Sequence, residues 1–235
     1  MVVREPSSSE PDGVLPQRPK LRVFLELVSA YALILIVCWT PRPAQRVLWW
    51  FAASTIVVFT TISFDGFKAM GLRLANFLRS LWIVGVAGLV AALAVLTSTR
   101  LGTMHVPATP FLFIKTYWAY ALWAAAQQFL LQCFFLSRLL RLFPNSWLAA
   151  FIAALIFSLA HLPNPILTAV TLIWGFAACL VFLRYRNLYP LAIAHAIFGI
   201  TIAITIPGPL DHNMRVGRGY LTYRHMHRQQ TLPQP

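Results

Sequence analysis

Seven apolar runs, each long enough or nearly long enough to cross a bilayer, follow one another along this chain, at about 23–39, 47–63, 80–97, 111–136, 147–161, 166–183 and 188–206. A backbone in hydrocarbon must satisfy its own N–H and C=O groups, so runs of this length are helices. The expected fold is therefore all-α, a polytopic integral membrane helical bundle of about seven transmembrane helices. Residues 1–20 are rich in Pro and Ser without an apolar stretch and read as a disordered tail with no cleavable leader. Residues 21–206 form the transmembrane domain, and 207–235 read as a polar, basic carboxy-terminal tail.

Composition matters here for what it excludes. Hydrophobic residues make up 59% of the chain and charged ones 11%, against roughly 25% charged in soluble domains. The formal charge of +13 does not point to nucleic acid. Its Lys and Arg residues stand singly or in pairs at the ends of apolar runs and in the tails, where they set topology and meet lipid headgroups. Membrane lipids are thus the first expected partner. Basic residues in the amino tail and in the connections after the second, fourth and sixth runs number eleven, against three in the alternate connections, which favours an inside amino terminus. The basic carboxy tail then lies outside with four more, against the same rule. Cys38, Cys133 and Cys179 all lie in apolar runs without CxxC spacing and read as small buried hydrophobes.

A few polar residues break the apolar runs. Gln127, Gln128 and Gln132 interrupt the fourth, His161 ends the fifth and His195 lies in the seventh. Amides and imidazoles in hydrocarbon need partners, so these five are expected to face inward and form one buried site. Gln128 and Gln132 are four apart and can bond to each other. Glu26 is the one acid within a run, and it either reaches the interface or turns to the site and pairs with a histidine. An imidazole can itself serve as a base near neutral pH, which makes His161 a second candidate. Ser158 shares a helical face with His161, but hydroxyls in such helices usually bond the preceding turn. Two histidines without a third ligand fall short of a catalytic zinc site, so neither metal nor cofactor is expected. A structural role for both histidines as hydrogen-bonded core residues is the competing reading.

The order of these groups resembles the CAAX prenyl protease 2 family, also called CPBP or Abi, of glutamic intramembrane proteases and bacteriocin-immunity proteins. Its three motifs are Glu-Glu-x-x-x-Arg, Phe-x-x-x-His and His-x-x-x-Asn. Here they stand as Gln127-Gln128-Phe129-Leu130-Leu131-Gln132, Phe157-Ser158-Leu159-Ala160-His161 and His195-Ala196-Ile197-Phe198-Gly199, within a resembling core of about 70–199. The resemblance implies water activation at the first position, helped by His161, and oxyanion stabilisation by His195. Gln127 replaces the base, Gln128 and Gln132 replace an ion pair, and Gly199 replaces the asparagine. A glutamine can orient a water but cannot take its proton near neutral pH. Replacing both ends of the ion pair avoids stranding one buried charge.

Two functions follow from the resemblance. One is an intramembrane endopeptidase of hydrophobic or lipid-modified peptides in the bacterial inner membrane, with Gln127, Gln128, His161 and His195 at its site and Glu26 as a replacement base. The other is an inactive pseudoprotease that binds a peptide or lipid tail, or acts as an immunity-type protein.

Overall fold

The structure, a computed structural model, describes residues 19–74 and 76–230, with side chains as far as 223. Most of the expected amino-terminal tail, residues 1–18, lies outside the described residues. The helices are α1 (Lys20–Trp39), α2 (Ala44–Ile62), α3 (Phe77–Ser80), α4 (Trp82–Leu101), α5 (Pro110–Phe129), α6 (Ser137–Leu142), α7 (Ser146–Leu159), α8 (Pro165–Tyr185), α9 (Tyr189–Thr205), α10 (Gly208–Asp211) and α11 (Gly217–Gln230). A π-helical turn, Leu130–Leu136, joins α5 to α6 in one rod of 33 residues.

Local chemistry sets the helix starts. The Asn145 side chain accepts from the backbone N–H of Trp147 and Leu148 to cap α7, as the Pro-Asn-Ser sequence predicts. Thr109 and Asn164 cap α5 and α8, each followed by a first-turn proline. Five stretches are long and apolar enough to cross a membrane, and α7 and α9 are shorter apolar helices. Large side chains such as Ile173, 73% exposed, and Leu93, 56% exposed, point outward as lipid would require.

Two groups of helices make the bundle. In one, α4 and α5 pack on α9; in the other, α1 packs on α2, α6 and α11 while α7 packs on α8. The π turn touches both α7 and α8. Small residues permit the closest of these contacts: Ala149, Ala150, Ala153 and Ala154 of α7 are fully buried, and Gly175 of α8 lies against Ala154. The connection 63–76 is pinned to the start of α9, with Leu188 N–H donating to the Gly71 carbonyl at 2.9 Å and Asn187 to that of Arg73 at 3.2 Å. Gly71 has φ +67°, and a Cβ there would meet the Phe182 ring at 2.6 Å.

Glu26 corrects one expectation. It does not turn to a histidine; it is 6% exposed and, at the end of the bundle, holds Arg138 of α6. Arg138 donates to its carboxylate at 3.0 Å, Arg22 at 3.1 Å and Ser63 at 3.1 Å. Arg138 also donates to the carbonyls of Phe134 and Phe59 and lies over the Phe134 ring. Arg141 pairs with Asp65 beside it. These charges lie together at one end of the bundle and tie α1 and α2 to α6.

The segment read as a plain basic tail is folded. Asn164 donates to the carbonyls of Asp211, at 2.6 Å, and Arg215, at 3.2 Å, and Gly217 N–H donates to Leu162 O at 2.8 Å. These bonds hold a turn in which His212, Asn213 and Met214 all have positive φ. From there α11 runs back along α1, with His212 stacked on Tyr220. Asp211 is 1% exposed. Burial raises its carboxyl pKa above the usual carboxylate range, while N–H donors of the turn and nearby His105 oppose the rise.

Two expected outcomes follow for stability. Glu26→Gln alone leaves the buried Arg138 guanidinium without the carboxylate it bonds and should cost about 3–5 kcal/mol in reversible unfolding, whereas Glu26→Leu with Arg138→Met should cost far less. The folded state binds the Asp211 proton more tightly than the unfolded one. Stability should therefore fall as pH rises from the ordinary aspartate pKa through the raised one. Asp211→Asn should remove that part of the slope in thermal unfolding at stepped pH.

Candidate functional site

Gln127 and Gln128 lie near the end of α5, His161 in the turn after α7 and His195 in the second turn of α9. α7 has 14 residues, a rise of about 21 Å, against a hydrocarbon core of about 30 Å. A helix this short does not by itself cross that thickness, and His161 stands just past its end. Gln127, His161, His195 and Gly199 line one cavity of about 530 Å³ between the two helix groups. Its walls come from α1, α5, the π turn, α7, α8 and α9, and Asn213, Met214 and Val216 of the reverse turn complete them.

Behind the cavity runs a chain of neutral hydrogen bonds. Gln132 Nε2 donates to Gln128 Oε1 at 3.2 Å, and Gln128 Nε2 lies 3.0 Å from His195 Nδ1. Both glutamines are fully buried and His195 is 5% exposed. With the amides so oriented, Gln128 donates to His195 Nδ1, which puts the imidazole proton on Nε2. His161 is fixed in the opposite sense. Its Nδ1 lies 2.8 Å from the Phe157 carbonyl, an acceptor only, so Nδ1 carries the proton and Nε2 keeps its lone pair. One imidazole of the site is thus a donor at Nε2 and the other an acceptor. The Phe157 ring lies edge-on to both, its centroid 4.9 Å from that of His161 and 5.9 Å from that of His195.

The π turn follows directly on the glutamine pair and carries Gln132. Each of Leu131 to Leu136 is buried, since the turn is packed by α7 and α8. The wider turn holds Gln132 in the interior one turn beyond Gln128. Nothing in the apolar pattern of the segment announces it. Gln132 Oε1 and Trp174 Nε1 are buried without a hydrogen-bond partner among the described residues.

Tyr120, which the sequence reading passed over, belongs to the site. It lines the cavity, and its hydroxyl and ring end occupy the space a Cβ on Gly199 would need. Gly199 follows His195 by one turn and Tyr120 precedes Gln127 by two turns, so all four face the same interior. The spacing of 120 and 127 was the available signal.

Other candidates fall away from the cavity. Glu26 is held by Arg138 and is not among the lining residues. The Ser158 hydroxyl donates to the Thr168 carbonyl at 2.6 Å and belongs to the α7–α8 contact. No Asp, Glu, Lys or Arg side chain lines the cavity among the described residues. The two histidines are its only imidazoles there, and no third strong metal ligand joins them among the described residues. Chemically the cavity can accept an apolar body and offer neutral hydrogen bonds.

Neither the curated proteins nor the solved structures contain a match to this chain. Residues 109–201 match a family model, Rce1-like, described as type II CAAX prenyl endopeptidase Rce1-like. The matched segment starts at the cap of α5 and ends in α9, and so includes Gln127, Gln128, His161, His195 and Gly199. The family that the three motifs resemble and the family matched over residues 109–201 are the same, that of the type II CAAX prenyl endopeptidases, Rce1-like.

Proposed function

We propose that this chain is a CAAX-protease-like intramembrane protein that binds a neutral, apolar peptide segment, lipid-modified or plain, and does not hydrolyse it. The observation that carries this reading is the absence of any ionisable carboxylate or cation from the lining of the cavity among the described residues. General-base hydrolysis needs a group that takes the proton of water, and the Gln127 amide does not. Glu26, the one acid within an apolar run, is engaged by Arg138, and Asp211 is not among the lining residues. A charged ligand end would be desolvated here without a counter-ion, so a peptide ester or carboxamide should bind ahead of the free carboxylate. The protein would work within the bacterial inner membrane, where apolar peptide segments reach the cavity from the lipid.

A second reading rests on one observation. His161 holds its Nε2 lone pair available, which suits a general base for an endopeptidase. The two readings separate in a single assay with the full-length protein in lipid nanodiscs and an internally quenched, leucine-rich peptide carboxamide. The expected result is saturable binding without cleavage. Cleavage by the wild type that disappears in His161→Ala would establish the endopeptidase instead. Gln127→Glu should bring measurable cleavage to a silent wild type, by placing a carboxylate in the cavity beside the imidazoles. The carboxamide peptide is expected to bind at least tenfold more tightly than the same peptide with a free carboxylate, about 1.4 kcal/mol or more.

A further inference from the structure

Three side chains that line this cavity, His195, Trp174 and Tyr120, carry hydrogen-bond donors without a protein acceptor among the described residues. The His195 Nε2–H is left unused by the bond that Gln128 makes to Nδ1. The Trp174 indole N–H is enclosed without a partner among the described residues, and its ring lies 6.3 Å from the His195 ring, centroid to centroid. The Tyr120 hydroxyl makes no hydrogen bond among the described residues. A phenol at an apolar wall with no protein acceptor is left to bond whatever occupies the cavity. Tyr120 is nevertheless seated with some care. Its hydroxyl end fills the space over Gly199, one turn along α9 from His195, a position that any residue with a Cβ would close. Glycine at 199 and tyrosine at 120 thus form one unit that brings a hydroxyl to the imidazole face of the cavity.

Resting on the binding reading above, we propose that Tyr120 is a specificity-determining residue of the site, whose hydroxyl donates to a neutral carbonyl oxygen of the bound peptide alongside His195 Nε2–H. The lining favours a carbonyl over a carboxylate because no Lys or Arg reaches it among the described residues. A carbonyl oxygen has two lone pairs, so a hydroxyl and an imidazole N–H one helical turn apart can both serve it. Gly199 acts through Tyr120 as a positioning residue.

The test uses the full-length protein in nanodiscs and an acetylated, leucine-rich tetrapeptide carboxamide carrying one photoreactive phenylalanine. Tyr120→Phe keeps the ring against Gly199 and removes one oxygen, so its thermal unfolding should match that of the wild type. Its affinity for the probe should fall roughly tenfold, the equivalent of about 1.4 kcal/mol. A set of probes with one carbonyl at a time replaced by thiocarbonyl, a weaker acceptor, supplies a readout that packing alone would not move. At one position the replacement should weaken binding to the wild type and have no further effect on Tyr120→Phe. Equal binding by wild type and Tyr120→Phe overturns the assignment of Tyr120 and leaves the binding reading standing. So does a pattern in which the two losses add at every position. A folded wild type that captures no probe overturns the binding reading and Tyr120 with it.

Discussion

Polar groups surrounded by hydrocarbon have no water to fall back on and must satisfy one another. In this bundle most of that condition is met by a chain of three neutral side chains, Gln132 to Gln128 to His195, that crosses from the π turn to α9 and leaves Gln132 Oε1 as its one unpartnered end among the described residues. The chain fixes the rotation of the rod Pro110–Leu142, because turning it would carry two amides into lipid at several kcal/mol each. It fixes α9 against α5 by the same bond. It also decides the tautomer of His195, and with it which hydrogen-bonding character the cavity receives from that side. Packing, orientation and the chemistry of the site therefore follow from one set of hydrogen bonds.

Charge is kept apart from this neutral chain. Glu26, Arg138, Arg141 and Asp65 lie together at one end of the bundle, and none lines the cavity. Both arrangements obey the same physics. Amides tolerate full burial once each has a partner, so they can occupy the centre. A carboxylate and a guanidinium need compensating donors and acceptors on every side, and at the bundle end backbone carbonyls, Ser63 and Arg22 supply them. The consequence for function is direct. The strongest acid–base groups of the membrane domain are spent on holding α1 and α2 to α6, and those left at the cavity are neutral.

Much of the architecture was legible because the bilayer restricts the choices. Apolar run length and the prolines between runs located all seven helices of the membrane domain to within a few residues, the fourth excepted, which runs on through Arg138 to Leu142. Buried cost alone identified the amides and imidazoles that come together on three helices. Other features depend on geometry that no periodicity carries. The π turn adds a residue per turn without a sequence signature. The Glu26 partner lies 112 positions away, and nothing in the sequence of either run pairs them. The segment after α9 reads as a polar tail because its bonds go to backbone carbonyls and to Asn164, which announce nothing in composition. Tyr120 was hidden by its type: an aromatic in a membrane helix is ordinarily lipid-facing or core, and only the missing Cβ of Gly199 marks its place.

The neutrality of the cavity also bears on what His161 could do as a base. Accepting a proton from water would make an imidazolium in a space lined by no carboxylate among the described residues. The group that orients the ring is the Phe157 carbonyl, a dipole rather than a charge, so it stabilises the imidazolium less than a carboxylate would. An uncompensated buried charge costs several kcal/mol, and a positioned acid–base group contributes about 10²–10⁴ in rate. The penalty is thus of the same size as the gain. A histidine held in this way is better suited to accept a hydrogen bond from a peptide N–H than to take a proton. The opposite tautomers of His161 and His195 then offer an acceptor and a donor across the Phe157 ring, the two characters that a peptide unit presents in reverse.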